Sequence, residues 1–414
     1  MSLKEFRRAG HAPTLASAFL YFDISFMVWV ILGPLGPFLG ESLKLTAAEK
    51  GFLTAIPLLG GSLFRIPLGW MTERIGGRRT GLIGLSLTLL PLLVAWQWAG
   101  SYRDFLAIGL LLGIPGASFA AALPMASAWY PPEYQGLAMG IAGAGNTGTL
   151  LATLFAPRLA QAHGWHSVFG VAMIPIALVW LFFVFMAKDA PVARPKKRWN
   201  DYAALFAQRD TLWFCFTYSI TFGGFVGLSS YLPIFFHDQY ALTKVQAGDL
   251  TTLVVVFGSF LRPVGGFFSD RIGGVRMLQM LLGGVALCLA GMGALPPVQA
   301  AVGMLVVTMA LLGMGNGAVF QLVPQRFPER VGILTGIVGA AGGMGGFLLP
   351  SLLGTIKQST GSFGLGFTVL GTVAAGGLIS LLVLRQNWRR TWPRESVLRA
   401  GLAPLETEAV AAGD

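Results

Sequence analysis

The sequence predicts an all-α integral membrane protein of twelve transmembrane helices, built as two pseudo-symmetric six-helix bundles. Three observations predict it. Of 414 residues, 54% are hydrophobic and only 11% are charged, whereas a soluble chain carries about 25% charged residues. Apolar stretches of about 20 residues, each able to cross a hydrocarbon layer of ~30 Å, recur along the whole chain. One motif also occurs twice at a constant offset of 197, as Arg65-Ile-Pro-Leu-Gly-Trp-Met-Thr-Glu-Arg-Ile-Gly-Gly-Arg-Arg79 and Arg262-Pro-Val-Gly-Gly-Phe-Phe-Ser-Asp-Arg-Ile-Gly-Gly-Val-Arg276.

The apolar spans fall at roughly 14–38, 51–71, 80–99, 105–128, 135–157, 166–187, 211–236, 246–268, 275–295, 298–321, 332–355 and 363–385. Alternate connections are basic. Those before span 1, at 74–79, 188–209, 271–276 and 326–330, and the segment from Arg385 onward hold 21 of the 29 Lys and Arg. The other side holds six (Lys44, Lys50, Arg103, Arg158, Lys244 and Lys357), and the remaining two are Arg65 and Arg262. The positive-inside rule puts both termini and the central loop in the cytoplasm, so the chain is expected in the cytoplasmic (inner) membrane. The net charge of +11 therefore reflects topology. Nucleic-acid binding would need a basic patch on a soluble face, and no such face is predicted.

The basic N-terminus and the run containing Ala16-Ser17-Ala18 have the look of a signal peptide. The apolar run continues about 20 residues beyond, which reads as an uncleaved first helix. Cys215 and Cys288 both lie inside spans, and the four histidines lie outside spans or near their ends. Neither a disulfide framework nor a metal site is predicted.

The polar segment 188–210, with Arg194-Pro-Lys-Lys-Arg198 at its centre, divides the chain into an N-terminal bundle (1–187) and a C-terminal bundle (211–385). It reads as a solvated linker beside anionic headgroups. Residues 386–414 form a cytoplasmic tail. Its first part, with Trp388 and Trp392, suits the membrane interface, and its acidic, Ala- and Gly-containing end suits disorder.

The duplication reaches past the opening motif. Leu112-Gly-Ile-Pro-Gly116 through Pro124 resembles Leu312-Gly-Met-Gly-Asn316 through Pro324 at an offset of 200, and Gly136–Gly145 resembles Gly332–Ala341 at 196. Spans 2, 4 and 5 thus correspond to spans 8, 10 and 11. Parallel halves of this kind place a substrate site near the midplane on their pseudo-symmetry axis.

Arg65 and Arg262 each precede by eight residues the acid (Glu73, Asp270) that marks the cytoplasmic edge. At 1.5 Å per residue that is about 12 Å, close to the midplane and beyond snorkelling reach. A lone guanidinium there costs several kcal/mol. Asp23 is the only acid well inside an apolar stretch, so matching carboxylates are scarce. A small anion between the two arginines would offset both charges. The planar guanidinium fork favours a planar oxyanion such as nitrate, nitrite or a carboxylate over a halide.

Spans 5 and 11 carry glycine-rich runs, Gly140-Ile-Ala-Gly-Ala-Gly-Asn-Thr-Gly148 and Gly336-Ile-Val-Gly-Ala-Ala-Gly-Gly-Met-Gly-Gly346. Close helix packing accounts for most of these glycines. It does not account for Asn146, a buried amide that must find a partner. The string Gly143–Gly148 also matches a dinucleotide-binding pattern. With no preceding strand, and inside a membrane span, that reading fails.

These motifs support a resemblance. The loop Gly69-x3-Glu73-Arg74-x-Gly-Gly-x-Arg79, repeated as Gly266-x3-Asp270-Arg271-x-Gly-Gly-x-Arg276, resembles the cytoplasmic loops 2–3 and 8–9 of the major facilitator superfamily. The resemblance implies that fold, and it implies that Glu73, Arg74, Asp270 and Arg271 form a conformational latch. The first copy departs in carrying Glu73 where Asp is usual. Ala142-Gly-Ala-Gly-Asn-Thr-Gly148 and the glycines of span 11 resemble the nitrate motif of that superfamily's nitrate/nitrite porter family. Gly116-Ala-Ser-Phe-Ala120, Trp129-Tyr-Pro-Pro132 and Tyr218-Ser-Ile-Thr-Phe-Gly-Gly-Phe225 fit the same family.

The family resemblance implies that Arg65 and Arg262 clamp the anion, that Phe119 and Phe222 sandwich it, that Asn146 donates to it and that Tyr218 assists. Phe26 is a further carry-over on a less clear local match. Gly143, Gly145, Gly339 and Gly342 are the glycines of the substrate motif. A monomeric carrier of nitrate and nitrite is implied, working by exchange or by proton symport, with no cofactor. A carrier of another small anion, an organic acid or a drug is the alternative. A sensor without transport would need a sizeable soluble domain, and an intramembrane enzyme a catalytic constellation; the spans offer neither. Two unpaired arginines resist closing on each other, which favours exchange, whereas symport needs a titratable group, and Asp23 is the candidate. Gly33-Pro-Leu-Gly-Pro37 is expected to bend or break span 1 near its outer end.

Overall fold

The computed structural model describes residues 3–191, 204–327 and 330–402. The centre of the linker, including Arg194–Arg198, and the end of the tail lie outside these. Among the described residues there are twelve helices long and apolar enough to cross a membrane. They are span 1 (Ala12–Ser42), span 2 (Ala47–Ile75), span 3 (Gly77–Gln97), span 4 (Tyr102–Ser127), span 5 (Leu137–His163) and span 6 (Trp165–Met186), then span 7 (Arg209–Tyr240), span 8 (Lys244–Ile272), span 9 (Gly274–Met292), span 10 (Val298–Arg326), span 11 (Ile333–Thr360) and span 12 (Gly364–Thr391). The described residues contain no strand.

The duplication is written into the helix starts and turns. Thr46 and Glu49 form a capping box at the start of span 2, and Thr243 and Gln246 form one at the start of span 8. In each, side chains satisfy backbone N–H groups that the first turn would otherwise leave orphaned. At the far ends of the same spans Gly76 turns with φ +90° and Gly273 with φ +88°. With ψ of 159° and 135° this is a backbone region almost confined to glycine, costing any other residue about 1–3 kcal/mol, which is why the paired motif needs glycine there.

Packing between the halves follows a two-fold relation. Span 2 lies along span 11, where Gly51 meets Pro350 and Gly354 and Ser62 Oγ donates to the Ala340 carbonyl at 2.9 Å. Span 8 lies along span 5 in the same way, with Gly248 against Thr153 and Pro157 and Thr252 Oγ1 bonded to Thr153 Oγ1 at 2.7 Å. Spans 1 and 7 meet across the axis, where Gly33 rests on the backbone of Ser230.

Ion pairs between the halves collect at the end opposite the Gly76 and Gly273 turns. Lys50 pairs with Asp238 at 2.6 Å, Lys244 with Glu41, and Arg158 with Asp249 at 2.6 Å. At the basic end Arg78 donates to the Val184 carbonyl at 2.7 Å within the N-terminal half, and Arg326 pairs with Asp210 at 2.5 Å within the C-terminal half. The molecule is thus tied shut across the end opposite its basic loops.

Span 1 is interrupted at Val30–Ile31, just before the Gly33–Pro37 run expected to bend it. Span 12 runs on to Thr391, beyond the expected 385. Trp388 is fully buried instead of lying at an interface; its indole stacks in the C-terminal half and donates to Asp210 at 2.8 Å. Trp392 is buried beside it, with ring centroids 4.8 Å apart. The short helix Arg394–Arg399 then folds back, with Ser396 Oγ donating to the Gln325 carbonyl at 2.9 Å.

Candidate functional site

Arg65 and Arg262 face one central region. Arg65 sits in the unbroken helix Ala47–Ile75 and is only 3% exposed. Its Nη2 donates to the Gly116 carbonyl of span 4 at 3.1 Å, and its Nη1 to the Gly339 carbonyl of span 11 in the other half. Arg262 follows a break at Leu261, where the helix Lys244–Phe260 gives way to Arg262–Ile272. Pro263 removes a backbone donor at this point. Arg262 is half-buried, and its Nη1 has no hydrogen-bond partner. Among the described residues neither arginine forms an ion pair. Tyr218 packs against the same Phe320 ring that Arg262 faces.

Six aromatic rings close a circuit around this pair. Phe119 meets Phe22 at 5.5 Å, Phe22 meets Phe26 at 5.5 Å, and Phe26 meets Phe222 at 6.3 Å. Phe222 stacks on Tyr218 at 5.1 Å, Tyr218 meets Phe320 at 5.0 Å, and Phe320 returns to Phe119 at 6.4 Å. Arg65 Cζ lies 5.4 Å from the Phe119 ring and Arg262 Cζ 6.0 Å from the Phe320 ring. Such spacing is within reach of cation–π attraction, which stabilises each charge without neutralising it. Each half supplies three rings.

The structure therefore brings together Arg65, Arg262, Phe26, Phe119, Tyr218 and Phe222. It adds Phe22, Phe320 and Trp29, the last lying 5.9 Å from Arg65 Cζ. Phe22 and Phe26 precede Tyr218 and Phe222 by 196 residues, the offset already present between spans 5 and 11. Applied to spans 1 and 7, that offset would have found Phe22.

Asn146 lies on a 3₁₀ turn, Ala144–Thr147, that interrupts span 5. It is fully buried, and neither atom of its amide has a partner. The motif glycines separate by what surrounds them. A Cβ on Gly339 would lie 2.9 Å from Arg65 Nη1, and one on Gly342 would lie 2.6 Å from the Tyr218 ring. On Gly145 it would meet the Asp23 backbone nitrogen at 2.7 Å, whereas Gly143 has nothing within 4 Å. Asp23 itself is buried between spans 1 and 5, and its Oδ1 accepts from Thr147 Oγ1 at 2.7 Å.

The latch residues lie at the basic end. Asp270 is exposed. Arg74 and Arg271 lie over Trp70 and Phe267 of their own spans, at 4.7 and 4.0 Å. Among the described residues no group of three or more His, Cys, Asp or Glu is arranged to hold a metal ion.

Two homologous six-span bundles around a central pair of cations define a multi-pass membrane protein of carrier architecture. The family model for the Major Facilitator Superfamily matches residues 18–350. The nitrite extrusion protein of Bacillus subtilis is 36% identical over 370 residues, covering 88% of this chain and 91% of that protein. The probable nitrate/nitrite transporter NarK2 of Mycobacterium tuberculosis is 35% identical, covering 83% of this chain and 89% of its own. Among solved structures, the D-xylose-proton symporter superposes with a TM-score of 0.73 at 15% identity, covering 93% of this chain and 98% of that one. The chain belongs to the major facilitator superfamily and, within it, to the nitrate/nitrite porter family.

Proposed function

We propose that the protein carries nitrate and nitrite across the cytoplasmic membrane by alternating access, as a carrier and not an enzyme, with both termini in the cytoplasm. One observation carries this reading: two arginines, one from each half, converge on a ring of six aromatic side chains without an ion pair of their own. A planar oxyanion accepts hydrogen bonds from both guanidinium forks, and flat rings suit its faces. The names of the relatives, a nitrite extrusion protein and a nitrate/nitrite transporter, agree with that chemistry.

The bundles 1–187 and 211–385, joined by 188–210, are the bodies that rock. The end closed by the Lys50–Asp238, Lys244–Glu41 and Arg158–Asp249 pairs is then the outer gate. Glu73, Arg74, Asp270 and Arg271 engage when the basic end closes in its turn. A bound anion relieves the repulsion between the arginines, so only the loaded carrier reorients, which is exchange. A second reading, proton symport, is favoured by one feature: the buried carboxyl of Asp23 beside the span 5 turn.

Proteoliposomes separate the readings. Nitrate entry that requires internal nitrite is exchange. Entry into nitrite-free vesicles that follows a pH gradient and vanishes in Asp23→Asn is symport. Uptake of small carboxylates at the rate of nitrate would overturn the substrate assignment.

A further inference from the structure

Asn316 lies in the interior of span 10. Its side chain is fully buried, and both Nδ2 and Oδ1 lack partners. A buried primary amide without hydrogen bonds is costly, so it is retained for something. It sits four residues before Phe320, on the same helical face, and Phe320 is the ring beside Arg262 and Tyr218. Its neighbour Gly317 lies against the backbone carbonyl of Arg262.

The duplication gives this position a meaning. Asn316 is the counterpart of Gly116, whose carbonyl accepts from Arg65. Asn146 is the counterpart of Gly342. Each half therefore carries one asparagine and one glycine at the two equivalent places, in opposite order. The reason is space. A Cβ on Gly116 would collide with the Trp29 indole, and one on Gly342 would come within 2.6 Å of Tyr218 and 2.9 Å of Phe222. The N-terminal half has room for an amide only on span 5, and the C-terminal half only on span 10.

We propose that Asn316 is a second amide ligand of the central anion, donating its Nδ2 protons to a substrate oxygen from the C-terminal half as Asn146 does from the other. This rests on the reading of the central site as an oxyanion site. Two arginines can serve the two oxygens of nitrite, whereas the third oxygen of nitrate has lone pairs for further donors, Asn146 from one half and Asn316 from the other. Asn316 therefore tunes the preference between the two ions.

The test is titration of the purified full-length protein with sodium nitrate and with sodium nitrite. Asn316→Ala should weaken nitrate binding about tenfold or more, the scale of one lost hydrogen bond to a charged group, and nitrite binding less. Asn316→Asp, equal in size but without the donor, should abolish nitrate binding while the chain still melts cooperatively; it also serves if the alanine variant misfolds. Wild-type affinity and an unchanged nitrate-to-nitrite ratio in either variant, with binding lost in Arg262→Lys, would overturn the role of Asn316 alone. Wild-type binding in both Arg65→Lys and Arg262→Lys would instead bring down the central site itself.

Discussion

The two halves share a register and differ in how they hold their arginine. Arg65 is buried and spends two of its donors on the carbonyls of Gly116 and Gly339, one in each half. Arg262 is half-buried, with Nη1 unpartnered and the Phe320 ring beside it. The backbones differ in the opposite sense. In the N-terminal half span 1 breaks at Val30–Ile31 and span 5 passes through a 3₁₀ turn at Ala144–Thr147, whereas spans 7, 10 and 11 run unbroken. Only span 8 breaks, immediately before Arg262. One arginine is thus held by two backbone carbonyls, and the other sits at a helix start with a donor to spare. The duplicated pair is best understood as an anchor and an arm.

The sharpest test of that contrast exchanges each arginine for lysine. Both variants lose the planar fork, and each should weaken nitrate binding by about 100-fold, measured by titration. They should part on stability. Arg65→Lys strips hydrogen bonds from two buried carbonyls and should cost about 1–3 kcal/mol in thermal unfolding. Arg262→Lys should leave the melting temperature near wild type. Equal stability losses would erase the distinction between anchor and arm.

The motif glycines sharpen it further. Gly339→Ala pushes a methyl group to within 2.9 Å of Arg65 Nη1, and Gly342→Ala presses on Tyr218 and Phe222. Both should reduce transport about tenfold or more in proteoliposomes, in keeping with an overpacking cost of about 1–3 kcal/mol. Gly143→Ala has open space on all sides within 4 Å and should transport at the wild-type rate. A defect in Gly143→Ala as deep as that in Gly339→Ala would mean that the motif serves something other than clearance around the site.

Much of this was legible in the sequence, because membrane insertion leaves strong signals. Twelve apolar spans, the alternation of basic loops and the 197-residue repeat fix the architecture before any contact is known. The depth of Arg65 and Arg262 follows from helix rise alone. The carbonyls of Gly116 and Gly339 were not legible, because a backbone acceptor carries no signature of its own. Phe22, Trp29 and Phe320 were hidden for another reason: with 12% aromatic residues, a ring on a helix reads by default as packing. Trp388 and Trp392 misled in the reverse direction, since Trp near a basic helix end ordinarily marks an interface, and here the Asp210 carboxylate draws the Trp388 indole inward.

The smallest expected effect concerns the gate, where the ion pairs that join the halves differ in exposure. Lys50–Asp238 is about one-fifth exposed, whereas Arg158 and Asp249 are 43% and 40% exposed. Exposed pairs contribute roughly 0–1 kcal/mol and are screened by salt. Neutralising Asp249 to Asn should shift the balance between facing states by only a few tenths of a kcal/mol. Asp238→Asn should shift it more, because it leaves the partly buried Lys50 ammonium without its counter-charge. Labelling rates of single cysteines placed near Gly33, where spans 1 and 7 meet, report that balance directly. Faster labelling in Asp238→Asn than in Asp249→Asn, with the gap persisting at high salt, is the expected order. The reverse order would mean that span 5 against span 8, and not span 2 against span 7, sets how tightly this end closes.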